Sequence, residues 1–174
     1  MKKTVIQRTW TITLCGNVQT GKTAFAKTLT DKPKDEFHIS TLDEEYFYQL
    51  EMNDKKHKIK ILDSPGHQEY RAMIEYDIKE SEGILLFFDQ SIGPSFNDLE
   101  EYIDCCHNAV MNFDLPIILV GNVREKTQKL ISEEKINAFC QKYHCEYREV
   151  DCVKDKETII DIVTQLYKKM NPSA

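Results

Sequence analysis

The 174-residue chain has no apolar run approaching the ~18–20 residues of a membrane span. It has no basic surplus either. Its formal net charge is −6, which argues against a general nucleic-acid binder, because neutralising phosphates needs a basic surface. Basic pairs such as Lys55-Lys56 and Lys168-Lys169 read as solvated faces. No apolar segment follows Met1-Lys2-Lys3, so no secretory leader is expected. Internal repeats and low-complexity segments are absent. The six cysteines (Cys15, Cys105, Cys106, Cys140, Cys145 and Cys152) match no standard zinc spacing, even beside His107 and His144. With no leader they read as reduced cytosolic thiols. What is there, 41% apolar and 30% charged residues, suits one globular domain over residues 1–174, with an ordered core expected at about 8–170.

Strand-like and helix-like stretches alternate along the chain, which argues for an α/β layered fold. Residues 8–15 are β-branched and apolar and end in a glycine turn, a first strand. Residues 23–29 then begin a helix. Over residues 44–53, Tyr46, Tyr48, Leu50 and Met52 share one face, with Phe47 the exception on the polar face. Asn53-Asp54 is a turn signal. Residues 57–63 answer as a second strand with Ile59 and Ile61 inward, so the two form a hairpin. GILLFFD (83–89) and PIILVGN (116–122) are continuous apolar runs of the kind found in central strands covered on both faces. Residues 95–111 between them read as one helix. Ser132, followed by Glu133 and Glu134, starts a helix running to about residue 143. Residues 145–150 form the last strand. Asp155 caps a final helix with Ile159, Ile160, Val163 and Leu166 on one face.

The strongest motif is Gly16-Asn17-Val18-Gln19-Thr20-Gly21-Lys22-Thr23, the G-x-x-x-x-G-K-[ST] loop. It follows a predicted strand and opens a predicted helix. Glycines let the chain curl so that backbone N–H groups point at phosphate oxygens, and the helix N-terminus adds positive potential. Lys22 is placed to reach β- and γ-phosphates, and the Thr23 hydroxyl to bind Mg²⁺. Forty residues beyond Thr23 comes Asp63-Ser64-Pro65-Gly66, at a strand end. Asp63 there can hold Mg²⁺ through a water, and the Gly66 N–H can contact a γ-phosphate.

With these residues the chain resembles the Ras superfamily of small GTPases over almost its whole length. Gly16, Thr41, Asp63, Asn122 and Asp151 fall at the Ras spacing of five nucleotide motifs, and SPGHQEYRAM followed by SEGILLFFD is similar to switch II and the strand after it. The resemblance implies a P-loop NTPase with a Ras-like G domain, a six-stranded, mostly parallel sheet with helices on both faces. It implies GTP or GDP as ligand with Mg²⁺ as cofactor, held by Thr23, Thr41 and Asp63. Thr41 matches the switch I threonine that senses Mg²⁺ and the γ-phosphate. The acids of Leu42-Asp43-Glu44-Glu45-Tyr46 resemble an effector segment. Ser40-Thr41 is similar to Rab proteins, yet Leu62 stands where Rab proteins carry tryptophan, and the remainder is closer to Ras.

Four positions depart from the family pattern. Val18 replaces a glycine of Ras and crowds the γ-phosphate and the path of an arginine finger. His67 stands in place of the water-orienting glutamine and resembles the translation-factor form of the motif, so slow intrinsic turnover is expected. The guanine motif N-K-x-D becomes Asn122-Val123-Arg124-Glu125. Val123 lacks the lysine stem and charge that brace the family's base pocket, and Glu125 carries its carboxylate on a longer stem, which misplaces a bidentate contact. The S-A-K motif becomes Asp151-Cys152-Val153, in which Asp151 can brace the loop and the Cys152 N–H can reach the base oxygen. Lys34 replaces an aromatic residue against the guanine, leaving an aliphatic stem as a lesser cover.

The resemblance thus implies an atypical GTPase of low intrinsic activity, with Lys22, Thr41 and His67 in catalytic roles and with weakened guanine recognition. Effectors, exchange factors and activating proteins are its expected partners, in signalling or vesicle traffic. No cysteine for prenylation stands near Ala174. The expected location is the cytoplasm, with any membrane attachment through partners or a segment outside this chain. Two alternatives stay open: a pseudo-GTPase scaffold, suggested by Val18, His67 and the eroded base motifs, and an ATP-using P-loop enzyme such as a small kinase.

Overall fold

The computed structural model describes residues 8–33 and 42–174. Among these are the strands β1 (Thr9–Gly16), β2 (Glu44–Met52), β3 (Lys55–Asp63), β4 (Gly83–Asp89), β5 (Ile117–Asn122) and β6 (Glu146–Val150). The helices are α1 (Lys22–Leu29), α2 (Arg71–Lys79), α3 (Gly93–Asn97), α4 (Leu99–Ala109), α5 (Glu133–Tyr143) and α6 (Lys156–Met170). The strands form one sheet in the order β2-β3-β1-β4-β5-β6. Only β2 and β3 pair antiparallel, with Tyr46 opposite Ile61 and Tyr48 opposite Ile59. Asn53 and Asp54 join them, both at positive φ (52° and 58°), as a tight hairpin turn requires.

The apolar runs divide their side chains between two layers. Leu85 and Phe87 of β4, with Ile118 and Val120 of β5, pack on one face beside α1 and α6. Ile84, Leu86 and Phe88, with Ile117 and Leu119, pack on the other beside α2, α4 and α5. Each fully buried Ile, Leu or Phe contributes about 1.5–3 kcal/mol. That burial holds the eight-residue α1 in place, because a helix so short is marginal alone. Ser132 and Asp155 accept from Lys135 N (3.4 Å) and Thr158 N (3.1 Å) at the starts of α5 and α6.

Two readings of the sequence change here. Residues 95–111 are not one helix. Pro94 opens the five-residue α3, whose Ser95 hydroxyl is tied to Ile92 O (2.6 Å) and accepts from Asp89 N (3.0 Å). Asp98 ends that turn and begins α4, which stops at Ala109 because Val110 is extended. Residues 71–79, read only through their likeness to switch II, form α2, with Ile74 and Ile78 fully buried.

All strands but β2 run in one direction, so the chain leaves β1, β3, β4, β5 and β6 at one edge of the sheet. Gly16, Asp63, Asp89, Asn122 and Val150 end those strands. Ligands of open α/β sheets gather outside these carboxyl ends.

Candidate functional site

At that edge lies a cavity of about 390 Å³ whose lining includes Gln19, Lys22, Thr23, Ser64, Gly66 and Asn122. The loop between β1 and α1 forms its floor. Gly21 caps α1 with φ 100°, a left-handed conformation open to glycine, and a Cβ there would come within 2.8 Å of Asn122 Nδ2. Thr20 Oγ1 donates to Asn17 O (2.8 Å), closing the turn. The Lys22 ammonium donates to Gly16 O (2.7 Å) and Asn17 O (2.8 Å). Burial pushes its pKa down to about 8, with the Asp63 carboxylate acting in the opposite direction.

Thr23 Oγ1 donates to Asp63 Oδ2 at 2.6 Å. Asp63 is fully buried, and its Oδ1 has no hydrogen-bond partner among the described residues. Burial raises its pKa to about 6, opposed by Lys22 and by the Thr23 hydroxyl. An unmatched buried carboxylate oxygen is costly. Beside a threonine hydroxyl and a phosphate cradle, the hard oxygen donors fit Mg²⁺.

The D-x-x-G segment packs directly on the P-loop. A Cβ on Gly66 would lie 2.5 Å from Val18 N and 2.8 Å from Asn17 C, backbone atoms that cannot turn aside. Tyr102 of α4 locks this approach. Its hydroxyl lies 2.9 Å from Asn17 Oδ1 and 3.2 Å from Gly66 O, while Asn17 Nδ2 donates to Asp98 Oδ2 (2.7 Å). Ser64 donates to the buried Asp77 carboxylate of α2, which anchors the segment from behind. His67 is exposed and does not line the cavity; its carbonyl accepts from Tyr70 N (3.0 Å), starting a single 3-10 turn.

The base end differs more from expectation. Asn122 Oδ1 accepts from Cys152 N (3.2 Å), and Asn122 Nδ2 donates to Asp89 Oδ2 (3.3 Å). The Cys152 N–H is therefore already engaged. Asp151 Oδ1 accepts from Val153 N (2.9 Å) and Lys154 N (3.1 Å), and Val123 N donates to Val150 O (2.9 Å). Arg124 and Val153 line the cavity; Val123, Glu125 and Asp151 line a separate hollow. There Glu125 is paired with Lys154, whose hydrogen bond holds the carboxyl below its ordinary pKa. Lys34 and Thr41 lie outside the described residues. Sequence reasoning missed Tyr102, Asp98, Asp77, Asp89 and the reach of Arg124. For Asp89 a signal existed: an acid closing a wholly apolar strand.

A model of the Ras family matches residues 11–172. The chain belongs to the Ras family. Mouse GTP-binding protein Rit1 is 23% identical over 145 residues, covering 83% of this chain and 66% of its own length. Rat GTP-binding protein Rit2 is 22% identical over 143 residues, with 82% and 66% covered. The chain therefore spans about two thirds of the length of these curated relatives. The observed sheet is the Ras-like G-domain architecture. Among the described residues no helix is long and apolar enough to cross a membrane.

Proposed function

We propose that this Ras-family chain binds GTP and GDP with Mg²⁺ and acts as a nucleotide-dependent switch toward effector proteins, with slow intrinsic hydrolysis and weakened guanine recognition. The observation that carries this reading is the Thr23–Asp63 pair beside the P-loop, with the buried Asp63 Oδ1 lacking a partner among the described residues. Rit1 and Rit2 are both called GTP-binding proteins. Lys22 would turn from the loop carbonyls to the β- and γ-phosphates, and the P-loop N–H groups would complete the cradle. Thr23, Asp63 and Thr41 would hold Mg²⁺, which supplies charge neutralisation between the phosphates. Thr41 and Gly66 would respond to the γ-phosphate, so that hydrolysis releases both switches. Val18 crowds that phosphate, and His67 would have to move inward to orient water, which supports slow turnover. Asn122 would still meet the base, while Glu125, turned to Lys154, supports weak discrimination. Expected partners are effectors, exchange factors and activating proteins, and the expected location is the cytoplasm.

Competing GDP, GTP and ATP against a fluorescent guanine nucleotide, with Mg²⁺ and with a chelator, tests this. GDP and GTP should displace the probe better than ATP, and the chelator should weaken binding. No binding, or tighter ATP, refutes the reading. The exposed His67 and the turned-away Glu125 favour a second one, a pseudo-GTPase scaffold. GTP turnover above buffer that is lost in Lys22→Ala would exclude it.

A further inference from the structure

The base end of the cavity contains an ion pair that none of the nucleotide motifs calls for. Arg124 Nη2 lies 2.9 Å from Asp89 Oδ2 and donates to Gln19 O of the P-loop at 3.0 Å. Asp89 is fully buried at the end of β4, whereas the Arg124 side chain is about half exposed. The rest of the carboxylate is committed: Oδ1 accepts from Ser91 N (2.8 Å) and Ser91 Oγ (2.5 Å), and Oδ2 also accepts from Asn122 Nδ2 (3.3 Å). Asn122 in turn accepts from Cys152 N (3.2 Å). A path of hydrogen bonds, with the Arg124–Asp89 ion pair as its middle link, therefore runs from the P-loop through Arg124, Asp89 and Asn122 to the loop after β6. The neighbouring Val123, at the position where the family's lysine braces the base pocket, has no charged stem to make such a link.

We infer that Arg124 is the positioning residue that holds the P-loop against the base loop, doing from one position along the chain the work that Val123 cannot do. Two acceptors of different kinds define its place. Asp89 fixes the guanidinium by charge, and the fixed guanidinium presents its second N–H to the Gln19 carbonyl. A guanidinium keeps its charge at any accessible pH and holds a rigid donor geometry, which suits one group serving two acceptors. Pinning the Gln19 carbonyl fixes the middle of the P-loop, whose N–H groups must all face the phosphates. Arg124 thus governs how long a nucleotide stays bound rather than what is done to it. This rests on the nucleotide-binding reading above.

The test measures release of a fluorescent GDP with Mg²⁺ from the whole chain, together with urea unfolding of each variant. Arg124→Ala should speed release roughly ten- to hundredfold, the loss expected for one charge-assisted hydrogen bond and its ion pair. Arg124→Lys should recover part of this. Val123→Lys/Arg124→Ala should slow release again, because it returns a charged stem to the family's position. Asp89→Asn/Arg124→Ala removes the buried carboxylate that Arg124→Ala alone would leave uncompensated. It should regain stability to urea while release stays fast. Release from that double variant as slow as from the wild type would mean that Arg124 only neutralises Asp89, and would overturn the inference. So would unchanged release in Arg124→Ala from a wild type that binds. A wild type that binds no probe at all defeats the nucleotide reading and the inference together.

Discussion

Replacing Asp77 by asparagine should stabilise the nucleotide-free protein near neutral pH and leave it little changed in acid. Asp77 is only 3% exposed, yet among the described residues its carboxylate receives a single side-chain hydrogen bond, from Ser64. Its carbonyl, a separate group, accepts from Thr13 Oγ1 (3.1 Å) and Ser81 Oγ (2.9 Å). Burial raises the carboxyl from 3.8 to about 6; the Ser64 bond and Lys60 oppose this, and Asp43 and Glu45 add to it. A raised carboxyl pKa means that the folded state holds its proton longer than the unfolded chain. The stabilisation is complete below the unfolded pKa and is lost as pH rises through the folded one. That difference between the folded and unfolded carboxyl corresponds to about 3 kcal/mol. Between pH 5 and pH 8 about half of this, ~1.5 kcal/mol, is expressed. Asparagine keeps an acceptor for Ser64 and removes the charge. Urea unfolding of wild type and Asp77→Asn at both pH values gives a difference from which the other titrations cancel. That difference should move by ~1.5 kcal/mol in favour of the variant at pH 8. A difference independent of pH would refute the reasoning.

Tyr102→Phe removes the hydroxyl shared between Asn17 and Gly66. It should cost about 1 kcal/mol and speed hydrogen exchange at the amides of residues 66–70, read by mass spectrometry; unaltered exchange there contradicts the lock. Gly66→Ala forces a methyl against Val18 N and should cost about 1–3 kcal/mol in urea unfolding. Wild-type stability would show that the two loops part freely. Lys154→Ala frees Glu125 from an exposed, solvent-screened pair that holds it only weakly. In the competition assay GDP affinity should rise up to about fivefold with ATP affinity unchanged, whereas equal gains for both would deny Glu125 any part in base choice.

Local chemistry was easiest to read from the sequence. GILLFFD and PIILVGN became central strands because nothing in them before the closing Asp89 and Asn122 suits water, and the alternation from Tyr46 to Met52 gave the hairpin its inner face. The P-loop and Asp63 were legible because their residue types and order are set by phosphate and magnesium chemistry. Helix α2 was not legible, since its buried face includes Asp77, an acid that a periodicity argument assigns to solvent. The break at Asp98 escaped because Ser95 bonds backward to the end of β4, a tertiary contact that overrides helical propensity. The Arg124–Asp89 pair joins the end of β4 to the loop after β5, and no local pattern announces it. The direction of Glu125 depends on Lys154, which approaches from the loop after β6.

The strand order has a consequence for how the chain is made. β1 lies in the middle of the sheet, yet both of its neighbours are encoded later. Thr9 pairs with Lys58 and Ile12 with Gly83, so β1, once out of the ribosome, waits some fifty to seventy residues for its partners. At ordinary elongation rates that is roughly 3–14 s. During that interval Ile12 and Leu14 have no finished layer to enter, and an unpaired apolar strand invites aggregation. The central place of β1, which sets the P-loop at the middle of the site, also leaves the newborn chain exposed to that hazard until β4 has emerged.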